Sequence, residues 1–307
     1  MIKNVVVTNF VGEKLEMSLS NPYSSGFAIL SIDGLYPPKA DILTVDYANN
    51  DGAIYNGSRF ESRNIVLQLK LFPLPTMEET KHKLYRYFPS KKKLTISFET
   101  NTRTVYIEGY VESANVDYFS KMTQASISII CPDPYFKDGS TGGNVDEVFY
   151  GEFPLVEFAT EDYGGLEFPS AGIAFGDILN EPTKAIEYEG DIDIGVIISI
   201  KASGSATNIA FTNSTKGQTM LLDTDIIEDM TGDGIIDGDY IVIDTRSNRK
   251  SITLLRDGVL YNIINCLGLD TGWISLQNGV NIVSYQAETG YNSLKVDIQY
   301  QKLYESL

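Results

Sequence analysis

The sequence predicts a mainly β protein, and three observations support that fold class. Apolar and polar residues alternate along short runs of the first half, for example over residues 65–71 and 125–131, which is the period of a half-buried strand. In the second half, short β-branched runs follow one another, and most are closed by Gly, Asn or Asp. A single segment has helical spacing. These patterns favour packed sheets with one helix.

The predicted helix lies in the first half. Thr76 and Glu79 have the spacing of a capping box, which marks a helix start. The helix is expected to continue to about Phe88, because Pro89 disfavours helical backbone in the residue before it. Leu84 and Phe88 share one face, so we expect the helix to pack on a sheet.

Length and charge indicate two domains with different surfaces. The 307 residues suffice for two cores, and the segment DGSTGGN at 138–144 has the composition of a linker. We therefore divide the chain into an N-terminal domain, 1–137, and a C-terminal domain, 138–307. The first has 15 Lys and Arg against 14 Asp and Glu, whereas the second has 9 against 27. So acidic a domain would repel a phosphate backbone, and direct nucleic-acid binding is not expected.

The N-terminus and the hydropathy pattern bear on location. No apolar run approaches the length that spans a bilayer, so we expect no membrane insertion. The N-terminus lacks the pattern of a signal peptide. We therefore expect synthesis in a cytoplasm and retention there until assembly or lysis.

The second half predicts a β-sandwich without a helix. Its expected strands are 196–201, 207–212, 219–222, 240–244, 251–255, 281–286 and 295–300. Their short spacing is typical of a sandwich. The small residues at 202–205 are interpreted as a hairpin turn rather than a phosphate-binding loop. Residues 146–190 have no period, and extended segments with long loops are expected there.

One loop resembles a calcium site. Asp229, Thr231, Asp233 and Asp237 supply oxygen at positions 1, 3, 5 and 9, and a glycine occupies position 6. Tyr240 stands at position 12, where a bidentate Glu is required. We therefore favour a Gly- and Asp-rich loop that leads into a strand, and we expect no metal.

Other candidate groups have simple interpretations. Cys131 and Cys266 lie in apolar runs, so buried free thiols are favoured over a disulfide. The single histidine, His82, is expected on the polar side of the helix. The basic run at 91–93 is expected to be a solvated turn, with a salt-sensitive contact to an acidic partner as the alternative. No nucleophile elbow, Walker loop or dinucleotide fingerprint is present, so we expect no catalytic residue and no cofactor.

Both halves carry segments that, in order, resemble the siphophage distal tail protein family. In the first half these are SRNIVL (62–67), LYRYF (84–88), LTISF (94–98), VYIEGYV (105–111) and CPDPYF (131–136). In the second half they are GDYIVIDT (238–245), KSITL (250–254), WISL (273–276) and GVNI (279–282), which read as a β-meander.

The resemblance implies a fold and a role. The implied fold is an N-terminal β-sandwich with one α-helix and a long hairpin, followed by a C-terminal galectin-like β-sandwich. The implied role is a structural virion protein, a homo-hexameric ring at the distal end of the tail. Its implied partners are the tail-tube protein, a tail-associated hub protein and receptor-binding or side proteins. Residues 146–190 match the family least and could hold insertions for docking.

Within this framework we expect residues 1–137 to form the ring. Residues 48–61 are expected to be a hairpin or loop used between subunits, because NNDG at 49–52 is a turn signal and Tyr55 and Phe60 are apolar.

Two alternatives remain open. One is a carbohydrate-binding module for host-surface attachment, supported by the predicted sandwich and the 19 tyrosines. Trp273 is expected in the C-terminal core, with no polar cluster beside it that would hold a sugar. The other alternative, a hydrolase that uses paired carboxylates, has the least support.

Overall fold

We describe the protein from a computed structural model, which defines residues 1–48, 51–117, 122–139, 144–154, 178–268 and 271–307. The chain divides into two compact units. Unit 1 comprises residues 1–143 together with 302–307, and unit 2 comprises residues 144–301.

Unit 1 consists of strands and one helix. Its elements are β1 (Asn4–Thr8), β2 (Lys14–Ser18), β3 (Phe27–Asp33), β4 (Ala40–Asp46), β5 (Ala53–Phe60), β6 (Arg63–Leu71), α1 (Met77–Tyr87), β7 (Lys93–Glu99), β8 (Thr104–Val116), β9 (Gln124–Cys131) and β10 (Phe136–Asp138).

Unit 2 also consists mainly of strands. Its elements are β11 (Val145–Pro154), β12 (Ile178–Glu181), β13 (Thr183–Tyr188), β14 (Ile194–Gly195), β15 (Ile197–Ala202), β16 (Thr207–Asn213), β17 (Gln218–Leu222), α2 (Thr224–Thr231), β18 (Tyr240–Asp244), β19 (Ser251–Arg256), β20 (Val259–Asn262), β21 (Ser275–Leu276), β22 (Gly279–Thr289) and β23 (Leu294–Tyr300). One further strand, β24 (Leu303–Tyr304), follows. The mainly β fold class is confirmed.

The sheet of unit 1 surrounds one core. The strands pair in the order β2-β1-β7-β8-β9-β6-β3, all antiparallel, with β10 and β24 attached beside β8. The two end strands, β2 and β3, also lie next to each other, so the sheet curls back on itself. Alternate residues of β1, β2, β6, β7, β8 and β9 are buried in the same apolar cluster, as the sequence alternation predicted for 65–71 and 125–131.

Helix α1 forms where the sequence predicts it. The Thr76 hydroxyl accepts a hydrogen bond from the Glu79 backbone N–H, which satisfies one of the free donors of the first turn. Leu84 and Phe88 are buried against the sheet, and Phe88 ends the helix just before Pro89. His82 is exposed, as predicted.

Unit 2 contains two principal sheets. One has the strand order β12-β11-β23-β15-β18-β19-β20, and the other has the order β13-β22-β16-β17. Aromatic rings join the two sheets: Phe149 meets Tyr285 edge-to-face at 6.2 Å, and Tyr188 meets Tyr300 at 6.0 Å. All seven strands predicted from residue 196 onward are present within a few residues of their expected bounds.

Two connections in unit 2 differ from the predictions. The meander ends at β20, because β21 pairs with β14 and β22 belongs to the other sheet. The small residues at 202–205 are not a hairpin turn. They connect β15 to β16, which belong to different sheets, so they carry the chain from one layer to the other.

Helix α2 corrects the expectation that the second half has no helix. The Asp223 carboxylate caps its first turn by accepting a hydrogen bond from the Asp225 N–H, and Gly232 ends it in the left-handed conformation. Ile227 is fully buried. Because an eight-residue helix is marginal in isolation, this burial rather than local propensity stabilises it.

The last residues differ from the division expected at 137/138. Strand β24 pairs with β10, so residues 302–307 belong to unit 1. The backbone N–H of Leu307 donates to the carbonyl of Leu35, and the Arg103 guanidinium lies 4.2 Å from the ring centre of Tyr304. Unit 1 is therefore made of two separate parts of the sequence.

Candidate functional site

The most unusual surface of unit 1 is formed by the paired strands β4 and β5, residues 40–46 and 53–60, which we call the exposed hairpin. Its two strands pair with each other and form a separate two-stranded sheet. Val45 pairs with Ile54 on one face, whereas Thr44 pairs with Tyr55 on the other. Val45, Ile54 and Tyr55 are all more than half exposed. The hairpin thus presents apolar side chains on both faces.

The hairpin is longer than the segment 48–61 predicted for it. It begins at Ala40, and Asn49 and Asn50 of the expected turn lie outside the described residues. Tyr55 is exposed as expected, with its hydroxyl 2.8 Å from the Ser58 hydroxyl. Phe60, by contrast, packs edge-to-face on Tyr135 at 6.0 Å. It therefore anchors the base of the hairpin.

Arg63 organises the chain next to that base. Its guanidinium donates hydrogen bonds to four backbone carbonyls, those of Gly34, Tyr36, Pro134 and Glu305, at 2.6–2.7 Å. Burial is the largest influence on this group and lowers the pKa of Arg63, whereas the charge of Glu305 opposes the shift. One side chain thus ties both ends of the hairpin region to the C-terminal residues.

Gly34 lies at the same point and has φ of +87°. A Cβ there would meet the Asn64 carbonyl oxygen at 2.2 Å, so a side chain cannot be accommodated. A groove of about 640 Å³ also lies in unit 1, lined by Ile2, Ile32, Leu35 and Arg103 among others. Its lining contains no carboxylate side chain, thiol or imidazole, and we assign no chemistry to it.

The calcium-like loop is filled by an arginine from another strand. The Arg256 guanidinium donates to the Thr231 hydroxyl at 3.0 Å, to the Asp233 carbonyl at 3.1 Å and to the Gly234 carbonyl. It also forms two hydrogen bonds to the Asp239 carboxylate. The hydrogen bonds that Arg256 donates to the Asp239 carboxylate raise the pKa of Arg256, so this group stays charged. The loop oxygens that could face a cation therefore already surround one.

The carboxylates that suggested calcium do not converge. Asp229 lies on α2, and the side chains of Asp229, Asp233 and Asp237 are exposed. Among the described residues, no group of three or more His, Cys, Asp or Glu side chains is arranged to hold a metal ion. Asp239, which the sequence pattern did not single out, is the acidic residue that faces the loop interior.

The remaining candidates take structural positions. Cys131 and Cys266 are buried and unbonded to each other, and burial raises the pKa of each thiol to about 12. The basic run at 91–93 is exposed, and Lys93 forms an ion pair with Glu108 at 2.7 Å. Trp273 is only half-buried, which corrects its expected place in the core. No helix in the described parts of the chain is long and apolar enough to cross a membrane.

Two protein-family models match the chain. The phage tail protein RIFT-related domain matches residues 23–131, and the siphovirus-type tail component C-terminal domain matches residues 189–304. Together these ranges cover more than two thirds of the chain. Among curated proteins, no match was found.

One solved structure shares the fold. The crystal structure of the Dit protein (gp 19.1) of phage SPP1, described as a paradigm of the hub adsorption apparatus in phages that infect Gram-positive hosts, aligns with a TM-score of 0.60 at 13% identity. The alignment covers 97% of this chain and 98% of that chain. A chain of the phage P2 baseplate in its activated conformation with Ca aligns with a TM-score of 0.42 at 11% identity, over 97% and 98% of the two chains.

The β architecture and the two matching models define a class, the structural proteins of phage tails. The chain belongs to the siphophage distal tail protein family, as the ordered segments of its sequence indicated. Its place is therefore the virion tail.

Proposed function

We propose that six copies of this chain form a ring at the distal end of the tail, between the tail tube and the tail tip or baseplate. The ring acts by geometry and contact, without catalysis, and anchors receptor-binding or side proteins. The chain is made in the host cytoplasm before assembly. The observation that carries the proposal is the exposed hairpin of unit 1.

A two-stranded hairpin with water on both faces is marginally stable by itself. Here its exposed strands carry Ile42, Leu43, Val45, Ile54 and Tyr55. Contiguous exposed apolar groups of this kind mark contact surfaces. In our proposal, unit 1 of a second copy of the chain packs on the hairpin and buries these side chains.

This contact is heterologous, because the hairpin of one copy meets a different surface of the next. Heterologous contacts close into rings when the rotation between copies permits. The near balance of 15 basic and 14 acidic residues in 1–137 favours close approach of these parts. The acidic C-terminal part, with 9 against 27, would repel its copies and is not proposed as the ring contact.

The test removes the apolar tip of the hairpin in the full-length chain. Val45→Ser with Ile54→Ser should convert rings into smaller species, measured by light scattering after size exclusion and by electron microscopy. Phe60 is left intact, because it packs on Tyr135 and its loss would disturb the hairpin base. Far-ultraviolet circular dichroism should be unchanged.

A matched control removes a similar exposed apolar area from unit 2. Val259 and Leu260 are adjacent, exposed residues of β20. Val259→Ser with Leu260→Ser should leave rings intact. Intact rings in the hairpin variant, or loss of rings in both variants, would contradict the role given to the hairpin, and a wild-type chain that never oligomerises would contradict the ring itself.

A further inference from the structure

The turn between β18 and β19, with residues 245–250, is a basic surface in an acidic unit, and we call it the basic turn. Residues 144–301 contain eight Lys and Arg against 25 Asp and Glu. Three of the eight, Arg246, Arg249 and Lys250, lie in this one turn. Such a concentration of positive charge is the feature that an anionic ligand would recognise.

Carboxylates of unit 2 neutralise the positive charge of the basic turn only in part. Arg246 forms an ion pair with Asp244, with Nη2 2.6 Å from Oδ2. Burial tends to raise the pKa of the Asp244 carboxyl, but hydrogen bonds and charge from Arg246, with the charge of Arg249, hold it below its usual value. The side chains of Arg249 and Lys250 are exposed, and no carboxylate in the described residues lies within ion-pair distance of either.

The backbone of the basic turn is held in place. The buried Thr245 hydroxyl accepts from the Val196 N–H at 2.7 Å and lies 2.7 Å from the Ile274 carbonyl. Gly195 packs so closely that a Cβ would lie 2.4 Å from the Thr245 carbonyl oxygen. The Arg249 N–H donates to the Arg246 carbonyl. A turn fixed in this way loses little entropy when it binds a ligand.

An aromatic ring lies beside the charges. Trp273 precedes Ile274, which is tied to Thr245, and the Lys250 Nζ is 5.1 Å from the centre of the indole ring. The ring is half-buried, so part of it faces solvent. The exposed Ser247 and Asn248 add hydroxyl and amide groups to the same turn. No local pattern in the sequence indicates this grouping, because Trp273 is more than twenty positions from the turn.

We propose that the basic turn and Trp273 bind an anionic glycan, a sugar chain that bears phosphate or carboxylate groups. Arg249 and Lys250 pair with the anionic groups, Ser247 and Asn248 hydrogen-bond to hydroxyls, and the indole contacts an apolar face of a sugar ring. The combination of neutral polar groups and an aromatic ring favours a sugar over an acidic protein segment. The site lies within one unit and does not depend on ring formation.

The test uses the fluorescence of Trp273, because the chain has a single tryptophan and its emission reports this site alone. Full-length protein is titrated with a phosphorylated mannan oligosaccharide, with a polygalacturonate oligomer, with a neutral mannan oligosaccharide of equal length and with a poly-glutamate peptide. The two anionic glycans should change the emission with saturation, and added salt should weaken binding. The neutral oligosaccharide should bind much more weakly.

Two double variants distinguish binding at the basic turn from nonspecific attraction to any positive charge. Arg249→Ser with Lys250→Ser should weaken anionic glycan binding by about tenfold or more, as expected for two lost charge-assisted contacts. Lys91→Ser with Lys92→Ser removes the same charge from the exposed run of unit 1 and should leave affinity unchanged. The proposal would be overturned if neither anionic glycan changed the Trp273 fluorescence, if the neutral oligosaccharide bound equally well, or if only poly-glutamate gave a response.

Discussion

Arg256 forms a two-pronged ion pair with Asp239, from Nε to Oδ1 at 2.8 Å and from Nη2 to Oδ2 at 2.6 Å. Both side chains are nearly inaccessible, with 9% and 1% exposed. The same guanidinium also contacts the Thr231 hydroxyl and two carbonyls of the loop that follows α2. A fixed cation from β19 therefore shapes the loop that leads into β18.

Replacing Arg256 with Ala should destabilise unit 2. The substitution leaves the Asp239 carboxylate buried without its partner, and breaking such a pair costs about 3 kcal/mol or more. Urea unfolding followed by Trp273 fluorescence measures this unit directly, because the single tryptophan lies in it. The midpoint should fall well below that of the wild type.

Arg246→Ala is the matched control for Arg256→Ala. It removes an arginine that pairs with an aspartate in the same unit, but 41% of the Arg246 side chain is exposed. The Asp244 side chain is only 14% exposed, but solvent reaches the arginine side of the pair, so the shift should be smaller than that of Arg256→Ala. Equal shifts of the urea midpoint in the two variants would show that burial does not strengthen the pair between Arg256 and Asp239.

Calcium should not change the stability of the wild-type chain. Arg256 already occupies the loop, and a second cation would meet its positive charge as well as a missing position-12 carboxylate. Only a ligand that favours the native state raises stability. Melting curves in calcium and in chelator should coincide. A calcium-dependent rise of several degrees would identify Asp229, Thr231, Asp233 and Asp237 as the residues to examine first.

The sequence predicted those features that depend on neighbouring residues. The alternation at 65–71 and the cap at Thr76 each involve residues a few positions apart, and β6 and α1 appear where expected. The pairing of Arg256 with Asp239 depends on β19 lying beside the loop, which local patterns do not encode. Helix α2 was missed because burial of Ile227, rather than helix propensity, stabilises it.

The candidate surfaces were predicted less completely than the core. Strand β4 exposes both faces, so it has no alternation of buried and polar positions to reveal it. The turn signal near residue 50 therefore marked the far end of the hairpin but not its start at Ala40. Trp273 and Lys250 meet through the packing of separate segments, and no spacing in the sequence reports that contact.

Replacing Arg63 with Lys should destabilise unit 1 although the charge is kept. A guanidinium reaches four carbonyls in different directions, whereas an ammonium has three donors on a compact group. Carbonyls left without partners in this buried place should cost about 2–4 kcal/mol. Differential scanning calorimetry should show a lower transition for this unit. Arg59→Lys, at an exposed pair with Asp41, should have little effect, and similar losses in both would contradict the argument.

Asp297 should make unit 2 less stable at neutral pH than at acidic pH. Burial raises the pKa of its carboxyl, repulsion from Asp146 adds to the shift, and a hydrogen bond from Gln299 opposes it. Its Oδ1 has no hydrogen-bond partner among the described residues. Because the folded-state pKa lies above the unfolded one, the native state holds its proton more tightly. The cost of ionisation therefore grows as pH rises past the unfolded value and is complete above the folded value.

The variant Asp297→Asn should remove that cost. We expect it to stabilise unit 2 at pH 7 by about 1 kcal/mol, because the neutral amide avoids the desolvation cost of the charge and the repulsion from Asp146. The gain should disappear near pH 3, where the carboxyl is protonated in both states. Trp273 fluorescence in urea at the two pH values measures the difference. Asp146→Asn, at an exposed position, should give a smaller gain with the same sign. A gain that is equal at both pH values, or a loss at pH 7, would show that the Asp297 charge does not destabilise the fold.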